Sequence, residues 1–472
     1  MGRASSGVLA MMNALPILRH AACLLLGLCL LTSGCAALPD VRAPVQAASA
    51  PASPTVINGK GTLSAKKTQS LLARHWRNSH VSLAELAAIE EAATGSPLIS
   101  GNQITLLYDG PQTMAAMIAA VSAAKNHINL ETYIFDQDEL GLRFAQLLIE
   151  RQRAGVQVHV IYDSVGTIGT PQAFFDSMRA AGIHLLAFNP VNPLKLLGPW
   201  HPNQRDHRKI LVVDGTVAFT GGVNISASYA NSSLFRRHAS QRGKIGWRDT
   251  HIRIEGPAVA ALQRVFLENW SSQPSPDLSD SNFFPPLSNQ GDKLVRVLAS
   301  SPDGDFEIYK AYILAISQAH KTIHITSAYF VPDAQILQAL LNAAARGVQV
   351  QIILPGASDS GLVRHASQSY YSQMLSGGIR LYQLKIAVLH AKTAVIDGVW
   401  ATVGSTNIDT RSFLHNHEIN VVVLGQEFAT TLEQAFQEDL RRSGAIDPSQ
   451  WAQRPWLNQV QEWGARHLAY WL

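Results

Sequence analysis

The chain predicts an α/β protein made of two copies of one unit that face each other across a pseudo-two-fold axis. Three observations predict it. Segments of the first half recur in the second: Gly155-Val-Gln-Val-His-Val-Ile-Tyr162 matches Gly347-Val-Gln-Val-Gln-Ile-Ile-Leu354, and Gly182-Ile-His-Leu185 matches Gly378-Ile-Arg-Leu381. Glu131-Thr-Tyr-Ile-Phe135 likewise has a counterpart in Ser327-Ala-Tyr-Phe-Val331. In each half an Ala/Leu-rich helical pattern (residues 139–154 and 334–346) leads into a β-branched apolar run, the alternation expected of helices packed on strands. A polar motif built on histidine also occurs twice. Such a repeat is too long for a solenoid and indicates a duplicated domain, whose shared site belongs at the interface of the halves.

The elements follow in order. Arg3, Arg19 and His20 precede an apolar run over residues 21–31, too short to span a bilayer and suited to the core of a signal peptide. Thr32-Ser33-Gly34-Cys35 follows, and all three cysteines, Cys23, Cys29 and Cys35, fall in this segment. Beyond Cys35 neither a disulfide framework nor a Cys-ligated metal site is possible. Residues 36–60 are rich in Ala, Pro and Ser and read as a tether. A helical segment is expected around residues 66–93. Residues 61–270 form the first half, a Pro/Ser-rich linker covers 271–291, and residues 292–446 form the second half. The tail, 447–472, is amphipathic, with Trp451, Trp456, Trp463 and Trp471 beside Arg454 and Arg466.

Composition narrows the function. Hydrophobic residues make up 47% and charged residues 15% of the chain, which is globular rather than disordered. A formal charge of +4 over 472 residues is small for a nucleic-acid binder, so no nucleic-acid partner is expected.

The repeated motif carries the chemistry. His207-Arg-Lys209-Ile-Leu-Val-Val-Asp214 leads to Gly221-Gly222-Val-Asn224, and His390-Ala-Lys392-Thr-Ala-Val-Ile-Asp397 leads to Gly404-Ser405-Thr-Asn407. Both copies read H-x-K-x4-D-x6-G-[GS]-x-N without a slip. In an extended segment residues i and i+2 face the same way, so each histidine projects with its lysine. The small Gly/Ser pair lets backbone approach an anion, and Asn224 and Asn407 add donors to phosphate. Two imidazoles, two ammonium groups and two amides converging from both halves would bind a phosphodiester and stabilise its transition state without a metal. Lysine is a poor zinc ligand and the cysteines lie elsewhere, so no metal or other cofactor is expected. Two carboxylates follow the motifs, Asp249 in Trp247-Arg-Asp-Thr-His251 and Glu418 in Asn416-His-Glu-Ile-Asn420. Either could fix a histidine's tautomer from its other ring nitrogen. His251 shares a strand face with Asp249.

This doubled motif resembles the signature of the phospholipase D superfamily. The flanking segments Glu131-Thr-Tyr-Ile-Phe-Asp136, Trp247-Arg-Asp-Thr-His-Ile-Arg-Ile-Glu-Gly256, Ala328-Tyr-Phe-Val-Pro-Asp333 and Ser412-Phe-Leu-His-Asn416 are similar to bacterial cardiolipin synthases. The resemblance covers about residues 100–445. It implies a duplicated phospholipase D fold with a mixed sheet flanked by helices in each half. It also implies a phosphohistidine mechanism with a catalytic set of His207, Lys209, Asp214, His390, Lys392 and Asp397, the two aspartates in a structural or supporting part. Carried over, His207 is the nucleophile and His390 the acid/base, with the reverse order open by symmetry. Asp249 and Glu418 would each back the histidine of the opposite half. The implied reaction joins two phosphatidylglycerols into cardiolipin and releases glycerol. Rival readings are a phospholipase D or other phosphodiesterase, with water as acceptor, and a non-catalytic envelope scaffold.

The implied partners are phospholipid substrates and a membrane surface, met through the tail and through Pro193-Leu-Lys-Leu-Leu-Gly-Pro-Trp200. The segment ending in Cys35 resembles a bacterial lipoprotein processing site, making Cys35 the lipidated residue of an exported envelope protein. Cleavage there would remove Arg3 and Arg19 and lower the formal charge from +4 to +2. The alternative is a signal-anchored or peripheral protein of the inner membrane.

Overall fold

The computed structural model describes residues 37–41, 53–75, 83–191, 201–229, 246–278, 282–304, 306–358 and 360–472. Cys35 with the apolar run before it, and the segment 193–200, lie outside the described residues. The account that follows is of the unit Asp40–Leu472.

Two seven-stranded arrays repeat each other. The first runs His184–Phe188, Gln157–Asp163, His127–Thr132, Ile210–Val213, Val217–Gly221, His251–Glu255, Leu98–Leu107. The second runs Arg380–Leu384, Gln349–Pro355, Thr322–Ser327, Lys392–Ile396, Trp400–Gly404, Asn416–Leu424, Lys293–Ser300. In both, the first three strands are parallel and every later step is antiparallel. The arrays join where Lys293–Ser300 pairs antiparallel with Leu98–Leu107, Val295 opposite Ile99. Antiparallel pairing of equivalent strands is what a two-fold axis requires. The expected α/β duplication with mixed sheets is therefore the observed fold.

The repeated glycines are helix stops. Helix Glu139–Arg153 ends with Gly155 at φ +91°, where Val156 N donates to Arg151 O at 3.0 Å. Helix Ala334–Ala345 ends with Gly347, also at φ +91°, where Val348 N donates to Ala343 O at 3.1 Å. Only glycine adopts this left-handed turn without a steric cost, and it feeds the following β-branched residues straight into a strand. Asp138 and Asp333 start the same helices by accepting backbone N–H bonds.

One apolar cluster runs through both arrays, from Ile99, Val212 and Ile254 to Val295, Val403 and Val421, under helix Gln426–Arg441 through Phe428 and Leu432. The interface is polar as well as apolar. Arg248 of the first half pairs with Asp439 of the second at 2.8 Å, and Tyr108 Oη donates to the same carboxylate at 2.8 Å. Helix Leu83–Thr94 docks through buried Glu90, which accepts from Arg296 at 2.5 Å and from Trp400 Nε1 at 2.7 Å.

The tether is shorter than residues 36–60. Val56–Asn58 forms a strand that pairs with Gly61–Thr62 and with Leu98–Leu107, and Val56 is fully buried. Proline-rich flanks mask this in the sequence, but two β-branched residues beside an open sheet edge gain more from pairing than from solvation. Helix Val259–Ser271 ends at the start of the linker, and past it the described residues up to 291 have no regular structure, yet they are fastened down. Trp270 Nε1 donates to Pro276 O at 3.0 Å, and buried Phe283 meets His127 edge-on at 5.0 Å.

Candidate active site

Each motif histidine follows a short strand that crosses between halves. Arg205–Asp206 pairs in parallel with Asn416 and His417, and His207 N donates to His417 O at 3.0 Å. Val388–Leu389 pairs in parallel with Trp247–Arg248, and His390 N donates to Arg248 O at 2.8 Å. The residue after each partner segment is Glu418 or Asp249. Backbone pairing thus delivers each carboxylate to the opposite half's imidazole. His207 Nδ1 lies 3.0 and 3.2 Å from the Glu418 oxygens, and His390 Nδ1 lies 2.7 Å from Asp249 Oδ2. With Nδ1–H donated to a carboxylate, Nε2 of each ring carries the reactive lone pair or proton.

Both histidines open onto one cavity of about 390 Å³. Asn224 and Asn407 line it, as do Tyr133, Trp247, Tyr329 and Trp471. Tyr133 meets His207 edge-on at 5.0 Å, and Trp247 leans on His390 at 4.9 Å. Asn224 is held by Ile134 N at 3.2 Å and by Tyr229 Oη at 2.8 Å. The buried Oδ1 of Asn407 has no hydrogen-bond partner among the described residues, so it can accept from a donor on a ligand, such as a headgroup hydroxyl.

The geometry corrects two expectations, the place of the lysines and the use of the small pair, and it gives the motif aspartates a structural place. Lys209 and Lys392 do not line the cavity; their ammonium groups are buried behind the histidines, 2.6 and 2.5 Å from the carbonyls of His207 and His390. Asp214 and Asp397 stand at the other end of their strands. Held at φ +52° and +54°, they accept backbone N–H bonds from residues 125–127 and 320–322, which makes them turn-formers remote from the chemistry. The space at Gly222 is filled by protein, since a Cβ there would lie 2.1 Å from Asp249 Oδ1. Its counterpart Ser405 instead hydrogen-bonds Glu418 Oε2. The small pair therefore admits the orienting carboxylate, not a substrate. His251 also stays out of the cavity and accepts from Val223 N at 3.4 Å.

The two histidines are electrostatically unequal. Burial, reinforced by Lys209 and Lys392, holds His207 well below the ordinary imidazole range. Burial lowers His390 too, together with Lys392, but Asp249 opposes it. Burial pushes Asp249 upward, yet His390 and Lys392 outweigh it, and this carboxyl ends below its ordinary value. Glu418 behaves oppositely: burial pushes it up to about 7, against Lys209. Burial brings Lys209 down to about 7 in turn. At neutral pH the His390 side carries a full carboxylate and the His207 side does not.

The description "Cardiolipin synthase, PLD-like domain" matches residues 117–234 and 312–440, one stretch in each half. The chain belongs to this cardiolipin synthase family of phospholipase D-like proteins. Cardiolipin synthase of Geobacillus kaustophilus is 35% identical over 379 residues, 79% of this chain and 73% of the relative. Cardiolipin synthase of Listeria monocytogenes serotype 4b is 36% identical, covering 79% of this chain and 76% of the relative. The phosphatidylserine synthase of Haemophilus influenzae shares the fold, with a TM-score of 0.60 at 14% identity over 81% of this chain and 99% of that one.

Within this family fold, several cavity residues carry no motif signal. Tyr133 and Tyr329 occupy equivalent places in the repeated segments around Glu131 and Ser327, so the internal repeat does point to them. Arg205, Asp409, Arg411 and Trp471 have no such mark, because only the meeting of the halves brings them to the cavity.

Proposed function

We propose that this protein is a phosphatidyltransferase that makes cardiolipin from two phosphatidylglycerols. One observation carries the reading: two histidines, each oriented by a carboxylate of the opposite half, share one cavity with two asparagine amides. His207 Nε2 attacks phosphorus of the donor lipid. The bond from phosphorus to the glycerol oxygen breaks, and His390 hands its Nε2 proton to that oxygen. The second phosphatidylglycerol then gives a headgroup hydroxyl proton to His390, its oxygen takes phosphorus, and the bond to His207 breaks. The electrostatics favour this order over the reverse, since the nucleophile must be neutral and Asp249 stabilises the imidazolium on His390. From behind the histidines, without touching the substrate, the buried ammonium groups of Lys209 and Lys392 offset phosphate charge through space.

The test is lipid analysis after incubating the purified protein with phosphatidylglycerol vesicles. Cardiolipin with equimolar glycerol supports the reading, phosphatidic acid would make the protein a hydrolase, and no product would make it a scaffold.

The charge on Lys209 gives a pH signature. The group is charged below about 7 and neutral above. Because kcat/KM reports the free enzyme, it should fall as pH rises through that range, and Lys209→Arg should remove this alkaline limb while lowering the plateau. A limb of unchanged position in the arginine variant would assign it to another group.

The tail supplies the membrane contact in this reading. Among the described residues no helix is long and apolar enough to cross a membrane. Helix Trp456–Arg466 instead buries Glu462 and Ala465 and leaves Trp456, Val460 and Trp463 more than half exposed. Arg454 braces the tail internally through Glu462 at 2.8 Å, and Arg466 lies over the Tyr370 ring at 4.5 Å, fastening the helix to the second half. Past the helix, Trp471 is 38% exposed and also lines the catalytic cavity, so the apolar face continues to the cavity mouth. A bilayer lying on this face would present headgroups to the histidines while the acyl chains stay in lipid. Replacing Trp456 and Trp463 by serine should lower co-sedimentation with phosphatidylglycerol vesicles by about tenfold or more. Turnover of short-chain, monomeric substrate should persist. Undiminished vesicle binding would remove the tail from this role.

A further inference from the structure

A synthase that joins two phosphatidylglycerols handles two phosphates, one transferred and one belonging to the acceptor. Resting on the function proposed above, we infer that Arg411 and Arg205 form a second phosphate site, which holds the acceptor's phosphodiester while its headgroup hydroxyl attacks.

The cavity breaks the two-fold symmetry of the chain at two positions. Arg205 stands two residues before His207, where the second half has Val388 before His390. Arg411 stands four residues after Asn407, where the first half has Ser228 after Asn224. Both arginines line the cavity, and they converge on one end of it. Arg205 N donates to His415 O at 3.2 Å, and Arg411 reaches Asn203, two residues before Arg205, with both Nη atoms 3.0 Å from its Oδ1. Two cations on one side only are surplus to a site that serves a single phosphate symmetrically.

Arg411 keeps its charge available to the cavity, and Arg205 adds a fixed positive charge beside it. Among the described residues no carboxylate lies within 4.0 Å of the Arg411 guanidinium, whose partner Asn203 is neutral. Arg205 is buried and held in place: Nε donates to Gln204 O at 2.6 Å, Nη2 donates to Asn189 O at 3.1 Å, and Nη1 stands 3.6 Å from Asp163 Oδ1, so it supports Arg411 by charge while Arg411 makes the contact. Asp409 shares this end, but its Oδ1 is engaged by Ser412 N at 2.7 Å. Arginine's planar fork matches two oxygens of a phosphodiester, which neither serine nor valine does. One end of the cavity thus discriminates an acceptor that carries phosphate from one that does not.

The test sets two acceptors against each other in one reaction. Wild-type protein with phosphatidylglycerol and ethanol makes cardiolipin and phosphatidylethanol, and the ratio of the two is read. Arg411→Gln should lower that ratio at least tenfold, and Arg411→Lys should recover most of it. Misfolded protein lowers both products together and leaves the ratio untouched. A second arm needs no variant: water-soluble glycerophosphoglycerol should be accepted by wild-type protein with a KM at least tenfold below that of glycerol. An unchanged product ratio in Arg411→Gln, or equal KM values for the two soluble acceptors, overturns the second phosphate site. Wild-type protein that makes phosphatidylethanol but no cardiolipin would instead overturn the function on which the inference rests.

Discussion

His207→Ala and His390→Ala are each expected to lower turnover by about four orders of magnitude or more, and the double variant to be hardly worse than either. The reason is that the two rings have successive, non-exchangeable duties. One forms the bond to phosphorus, and the other supplies and then removes a proton at the oxygen that leaves or arrives. Among the described residues no other histidine lines the cavity, so none of them can take over either duty. Each substitution also strips a buried carboxylate, Glu418 or Asp249, of its imidazole partner, a cost of roughly 1–3 kcal/mol. A thermal melt should accompany the kinetics to show that the variants remain folded. In His390→Ala the proton carrier is gone while the nucleophile stays, so a phosphatidyl group should accumulate slowly on His207. Peptide mass spectrometry locates it. An adduct on His390 in the His207→Ala variant, with none on His207 in the other, would reverse the assigned order. Near-normal turnover in either variant would refute the two-histidine mechanism.

Much of this site is legible in the chain because duplication writes it twice. The spacing from His207 to Asn224 equals that from His390 to Asn407, and the Gly155 and Gly347 segments mark the same helix stop. Other features need the three-dimensional encounter. That Asp249 fills the space left by Gly222 depends on where residues 249 and 222 come to lie, and no pattern in either segment announces it. The buried turn of the lysine side chains is set by carbonyl acceptors that any sequence possesses. Arg205 and Arg411 sit where the two copies differ, and a reading built on repetition passes over differences. The strand at Val56 is hidden by prolines on one side and exists only because a sheet edge stands open beside it. Cys35 and the 193–200 segment remain expectations of the sequence alone.

Asp249→Asn should cost roughly 10²- to 10⁴-fold in turnover, a larger deficit than Glu418→Gln despite the symmetry of the two positions. Asp249 Oδ2 accepts from His390 Nδ1 at 2.7 Å, and Oδ1 accepts from Thr250 N at 2.7 Å. An asparagine must keep its oxygen on Thr250 N, which turns its NH₂ toward Nδ1. That favours the tautomer with the proton on Nε2 and, more seriously, removes the charge that stabilises an imidazolium. Gly222→Ala should reproduce much of the deficit, because its Cβ would displace the same carboxylate. Glu418 stands differently. Burial raises it to about 7, so it is largely protonated below that pH and ionised above. Glutamine resembles the protonated form, and Ser405 and Asn416 can still hold it in place. The deficit of Glu418→Gln should therefore be small at pH 6 and grow as pH rises past 7, whereas that of Asp249→Asn should be present throughout, because Asp249 is held below its ordinary value and is ionised across this range. Measuring kcat for both variants at pH 6 and pH 8 separates them. Equal deficits in the two variants at both pH values would mean that the carboxylates serve their histidines alike, and that the charge difference between the halves has no part in choosing the nucleophile.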